Sequence, residues 1–318
     1  MPAHALVPPL IGCVFSRKEV SMDGKGSRQP LRILFGDDGS EHAYAAAKLI
    51  CDLPLPSGSE ITALAVFPPT RINHYPTIKE QLEATCQQLR DRGILIQSEV
   101  KAGDAAETIL DMATRQKANL IVVGALGLRA TLGIFLGGVA QKVVEYGHCP
   151  VLVVRAPYEG LHRVLIVNDG SEHGWNALEY LCHFPLPANV QISILHVIPP
   201  LYPEDYATAA WGMGNIPLPP LTTRQTSVAG EKSEEEKIGE GILEKSLATL
   251  KEAGYSAETF LRRGDAATEI LQLAKEKHVD LIVAGSRGLS QVSAWLLGSV
   301  SRKLIHYAKC SVLVVRTV

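Results

Sequence analysis

Asp280-Leu281-Ile282-Val283-Ala284-Gly285-Ser286-Arg287-Gly288, followed after nine residues by Gly298-Ser299-Val300-Ser301, joins a strand pattern to a helix pattern through glycine. The run from Asp280 to Gly285 is short and nearly continuously apolar, the signature of a strand covered on both faces of a parallel sheet. Gly285 and Gly288 let the backbone turn sharply and leave its amides unobstructed, and Gly298-Ser299 opens a helical run. Amides at a helix start attract anions. Ser299 and Ser301 add hydroxyl donors and Arg287 a fixed positive charge, so the segment suits a polyphosphate better than a lone carboxylate. The same glycines also serve a tight turn and close helix packing without any ligand, and spacing alone does not choose between these roles.

To either side of this segment the chain repeats itself. Leu31–Pro56 parallels His162–Pro187, with Asp38 and Asp169 131 residues apart, whereas Gly124 and Gly285 are 161 apart; the difference is a 30-residue insertion after Pro200. Each copy alternates apolar strand-like runs with helical patterns, which predicts an α/β fold of two tandem doubly wound, flavodoxin-like domains. Each would have a five-stranded parallel sheet with its ligand beyond the carboxyl ends of the strands, at the switch point. The expected division is an extension over 1–29 that reads as disordered, a first domain over 30–157, and a second over 158–318 with the insertion at about 201–238. Ser40 and Ser171 stand where each first helix needs a cap, and Gly93 and Gly254 where each second helix needs a left-handed residue. The insertion reads as a surface loop running into the acidic, solvated start of a helix, with a lid over the second site as the alternative.

With 31 basic and 33 acidic residues and a net charge of -2, the chain has no overall basic field for nucleic acid or an anionic membrane, so neither partner is expected. The six cysteines form no C-x-x-C and no Cys/His cluster at zinc-ligand spacing; they read as reduced core residues, which points to a cytoplasmic compartment. The apolar patch Leu6–Phe15 is broken by Pro8-Pro9 and lacks a basic flank, which makes it a poor signal peptide, and Met22 is an alternative start to Met1. No G-x-x-x-x-G-K-[ST] occurs, and no G-x-G-x-x-G follows the first strand of either copy, which argues against a P-loop NTPase and a dinucleotide enzyme.

The pattern G-x-x-G, nine residues, G-S, set between an apolar strand and the terminal run Val312–Arg316, resembles the nucleotide loop of the universal stress protein family. The resemblance extends over both copies and implies that family's architecture, related to adenine nucleotide alpha hydrolases. It also implies an adenine nucleotide site in copy two. Asp169 would contact the nucleotide, at a ribose or an adenine edge, and Val197 would pack an adenine face, with Gly264 leaving room for the ligand. Ala284, Gly285, Arg287 and Gly288 would line base, ribose and phosphates, and Gly298, Ser299, Val300 and Ser301 would grip the phosphate chain. The implied ligand is ATP, with Mg2+ held mainly by the phosphates because few basic side chains converge there.

Copy one keeps Asp38, Val66, Gly103, Gly124, Gly127 and Gly137, but Gly138 and Ala140 replace the two serines and Leu126 stands in place of Arg287. It is therefore expected to be a weaker site, with Arg129 as a partial substitute. Each copy ends in an apolar strand whose exposed edge seeks another strand, and in the resembled family such strands pair between domains. The expectation is an intramolecular pseudo-dimer, with a homodimer open. No base is convincingly placed for hydrolysis. The leading expectation is thus an ATP-responsive regulatory protein of the stress response, beside a nucleotide-independent interaction module and a slow ATPase.

Overall fold

The computed structural model describes residues 29–127, 136–200, 232–288 and 297–316. Most of the extension, Arg129 and the bulk of the insertion lie outside the described residues. Copy one runs β1 (Arg32–Gly36), α1 (Glu41–Asp52), β2 (Glu60–Phe67), α2 (Tyr75–Arg90), β3 (Ile96–Ala102), α3 (Ala105–Arg115), β4 (Leu120–Gly124), α4 (Gly138–Tyr146) and β5 (Val151–Val154). Copy two runs β6 (Arg163–Val167), α5 (Glu172–His183), β7 (Gln191–Ile198), α6 (Glu234–Glu252), β8 (Ala257–Arg263), α7 (Ala266–Glu276), β9 (Leu281–Gly285), α8 (Ser299–Tyr307) and β10 (Ser311–Val315).

Local chemistry sets the helix boundaries. Ser40 and Ser171 accept the backbone N–H of Ala43 and Gly174 as N-caps, and Asp265 does the same for Thr268 at the start of α7. Gly93 and Gly254 take φ of +79° and +85° just beyond α2 and α6, where a side chain would be strained. The acidic end of the insertion becomes the first turn of α6, closed by a reciprocal pair in which Ser233 accepts from Glu236 N–H and the Glu236 carboxylate accepts from Ser233 N–H.

The strands form one ten-stranded sheet in the order β3-β2-β1-β4-β5-β10-β9-β6-β7-β8. Pairing is parallel within each copy, and the copies join where β5 and β10 run antiparallel with Leu152 opposite Leu313. The two apolar ends therefore cover each other's edge, as the strand pattern suggested. Beside this seam Arg155 donates to the carbonyls of Ile305 and His306 (2.8 and 3.2 Å) at the end of α8, and Arg316 donates to that of Val144 (3.4 Å) near the end of α4. Each copy thus caps a helix end of the other with a cation.

α1, α2, α5 and α6 cover one face of the sheet, around Phe35, Leu49, Leu89, Leu181 and Leu313, and α3, α4, α7 and α8 cover the other, around Ile121, Val143, Leu273 and Leu304. Each such fully buried side chain contributes about 1.5–3 kcal/mol. The outer strands β3 and β8 are only half-buried and carry Glu99, Lys101, Arg262 and Arg263, charges that blunt a free edge.

Candidate functional site

β6 pairs directly with β9, although β7 and β8 lie between them in sequence, so the winding reverses there and a crevice opens beyond the strand ends. Two loops meet at that crevice. The first is the turn after β6. Gly170 takes φ +80°, and Asp169 Oδ1 accepts from Ser171 N–H (3.0 Å) and from its hydroxyl (2.6 Å), which fixes the carboxylate. The second is the loop from β9 to α8. A methyl group at Gly288 would fall 2.5 Å from Asp169 Oδ2, so the glycine lets the two loops touch.

The ends of the β9–α8 loop are stitched by Gly298 N–H donating to Ser286 O, and Ser286 N–H continues the pairing with β10 by donating to Val315 O, both at 2.8 Å. Gly298 is the N-cap of α8 and brings no side chain to its free amides, and Ser299 is exposed as the first helical residue. Arg287 is half-buried beside α5 and β10: its charge helps depress the pKa of His173 and of Arg316, although burial is the larger cause for both. Arg287 and Arg316 therefore bring two positive charges near each other at the ends of β9 and β10.

Other predicted site residues take different places. Gly285 is demanded by packing, because a methyl there would lie 2.5 Å from the carbonyl oxygen of His173 at the start of α5. Ala284 is buried in the core, so only its backbone faces the strand end, while Val197 and Val300 pack half-buried against the same core. Gly264 donates its N–H to Ile198 O (3.0 Å), and a methyl at Gly264 would press on the Glu269 carboxylate. Ser301 has a structural role in its own right. Its hydroxyl is buried and donates to Gly285 O at 2.7 Å, strapping α8 to the end of β9.

Copy one builds the same backbone. Asp38 Oδ1 accepts from Ser40 N–H (3.0 Å), a methyl at Gly127 would fall 2.6 Å from Asp38 Oδ2, and Gly137 N–H donates to Ala125 O (2.8 Å). Gly124 lies against the backbone of α1 as Gly285 lies against α5, with a methyl 2.9 Å from Ala43 N. Gly138 opens α4 without a side chain, Gly103 donates to Phe67 O (2.9 Å), and Val66 packs against the core. The hydroxyls are arranged differently. Ser40 donates across the gap to Leu126 O (3.1 Å), whereas Ser171 donates within its own turn to Asp169.

Two polar residues of copy two had drawn no attention from sequence. Ser286, where copy one has Ala125, is fully buried and its hydroxyl has no hydrogen-bond partner among the described residues. Asn168, where copy one has Asp37, is fully buried behind Asp169. Both were visible as apolar-to-polar or acid-to-amide differences between the repeats. Among the described residues no group of three His, Cys, Asp or Glu side chains is placed to hold a metal ion, and no helix is long and apolar enough to cross a membrane.

A doubly wound domain repeated in tandem, with a glycine loop against a D-G-S turn in each copy, defines a class of paired α/β folds. The model of the universal stress protein family matches residues 31–155 and again 160–316, so the chain belongs to that family. The universal stress protein YxiE of Bacillus subtilis is 36% identical over 155 residues, which are 49% of this chain and 99% of that protein. A universal stress protein of Mycolicibacterium smegmatis is 27% identical over 229 residues, 70% of each chain. Among solved structures, a universal stress protein from Archaeoglobus fulgidus shares the fold with a TM-score of 0.64 at 21% identity, covering 92% of this chain and 100% of that one.

Proposed function

We propose that the protein is a nucleotide-responsive regulator of the stress response that binds one ATP in the crevice of copy two. The observation that carries this assignment is the exposed start of α8: its amides receive no side-chain cap, Ser299 stands at its first turn, and Arg287 lies in the loop that reaches Asp169. Free amides, a hydroxyl and a guanidinium gathered at a helix N-terminus suit a phosphate chain. Asp169 Oδ2 and Val197 are assigned to the adenine side, Gly285 and Gly288 to the ribose and first phosphates, and Gly298, Ser299 and the amides of Val300 and Ser301 to the outer phosphates. The hydroxyl of Ser301 is left out of this set. Mg2+ would ride on the phosphates.

In copy one the corresponding loop offers Ala125, Leu126 and Gly138, and Ser40 already closes the gap to Leu126 O. That cradle is assigned a structural role. The assignment for copy two is binding with at most slow turnover, in the cytoplasm, with occupancy altering a surface that a partner protein reads. Nucleotide extracted from the gently purified full chain and separated by chromatography tests it: adenine nucleotide near one equivalent per chain is expected. A chain that carries none and binds none when ATP and Mg2+ are added would leave the interaction-module alternative.

A further inference from the structure

Immediately before each turn aspartate the copies differ in charge. Asp37 and Asn168 are both buried, and the Oδ1 of each accepts from the N–H of the turn glycine, Gly39 at 2.8 Å and Gly170 at 3.0 Å. Both also reach the second helix of their copy. Asn168 Nδ2 donates to the Ser246 hydroxyl (3.0 Å), which donates to Ile242 O (2.7 Å) on α6, while its backbone carbonyl accepts from His196 Nδ1 (2.8 Å). Thr85, which stands on α2 where Ser246 stands on α6, lies near enough to Asp37 to oppose the rise of its pKa, while its hydroxyl donates to Gln81 O (3.3 Å). The frame is the same; one copy holds an amide in it and the other a carboxylate.

We propose that this position sets which cradle accepts a polyanion: neutral Asn168 keeps the second receptive, and Asp37 places another carboxylate behind Asp38 and closes the first. This rests on the assignment of an ATP site to copy two. The physical ground is Coulombic. Asp38 already points its Oδ2 at Gly127, and an ionised neighbour held away from water raises the cost of a phosphate chain in the same crevice. Asp37 titrates higher than an ordinary aspartate, chiefly through burial and in lesser part through Asp38, so the second charge is gained as pH rises. The titratable groups facing it are Asp38 in the turn and Cys86 on α2, whose thiol burial pushes up to about 11 and keeps neutral. An aspartate at position 168 would face Asp169 in the turn and His196 on β7, with Ser246 from α6.

The test uses the full chain and ATP with Mg2+, measured by calorimetry for wild type and Asn168→Asp. The ratio of the two affinities is expected to exceed about tenfold near pH 8 and to shrink toward about twofold near pH 5, as the new carboxylate takes up a proton. A ratio near one at both pH values, or an equal loss at both, would overturn the proposal, since a merely structural defect has no reason to be reversed by acid. A second arm needs no nucleotide. A raised carboxyl pKa favours the folded state at low pH, and that advantage is lost as pH rises through the folded-state pKa. Asp37→Asn, whose Oδ1 can still accept from Gly39 N–H, should therefore melt with wild type near pH 4 and above it near pH 7, by about 1–5 °C. A variant that melts lower than wild type by the same margin at both values would remove Asp37 as the discriminating charge. A wild-type chain that binds no ATP defeats the assignment itself and the ligand half of the proposal with it, while the melting arm still judges the buried carboxylate.

Discussion

The two cradles share a skeleton and differ in what decorates it. Both press a strand-end glycine against a helix start, both bring a second glycine onto the turn aspartate, and both stitch the loop ends by a 2.8 Å backbone bond, Gly137 to Ala125 and Gly298 to Ser286. Yet Arg287, Ser286 and Ser299 face Leu126, Ala125 and Gly138 across the repeat. The lesson is that much of what looks like a ligand motif is demanded by the fold itself, because copy one preserves the frame after losing the arginine and the hydroxyls. The specific part is confined to a few side chains set on that frame.

The largest effect expected is one that does not distinguish the copies. Gly285→Val and Gly124→Val would drive a side chain into the backbone of α5 or α1 and should each destabilise the chain by about 3 kcal/mol or more, read as a shift in the urea midpoint. Equal losses in the two copies would mark these glycines as packing residues, whereas a loss in one only would break the structural equivalence. Next, replacing Arg287 by Leu and Ser299 by Gly gives copy two the decoration of copy one. ATP affinity should fall by about a hundredfold or more while the melting temperature stays within a few degrees, since each lost hydrogen bond to a charged group is worth about 1.5–3 kcal/mol.

Ser301→Ala should do the reverse. Removing the strap to Gly285 O leaves a buried carbonyl short of a donor and should cost about 1–2 kcal/mol of stability, with ATP affinity altered by no more than about threefold. A large loss of affinity without loss of stability would return that hydroxyl to the ligand. The smallest effect concerns His42, whose Nδ1 accepts from Ala156 N–H (2.9 Å) in the segment between the copies. Burial lowers its pKa, so its contribution is present above the unfolded-state value and fades as pH falls through the folded one. Half-exposed as it is, His42→Ala should flatten the melting profile between about pH 7 and 5 by less than about 1 kcal/mol.

The fold was legible in sequence because apolar runs such as Leu281–Gly285 and Leu120–Gly124 are continuous where a parallel strand is covered twice, and because the repeat doubled every signal. The pairing of β5 with β10 was legible for a related reason: two apolar strands left at edges have few other partners. At the site, counting positions of a motif was less informative than helical periodicity. Ser301 shares a face of α8 with buried Leu304 and Ile305, three and four residues on, which turns its hydroxyl inward. Ser299, two positions earlier, falls on the open side. Asn168 does not stand out in the sequence because a polar residue ahead of a D-G-S turn looks like part of the turn; only the contact with Ser246, 78 residues away, reveals it as a tie to α6.

Calorimetric titration of the nucleotide-free full chain with ATP and Mg2+ tests the asymmetry most directly. One site per chain, abolished by Gly298→Val with Ser299→Ala and untouched by Gly137→Val, is the predicted result. Two equivalent sites, or a single site lost through copy one alone, would contradict it.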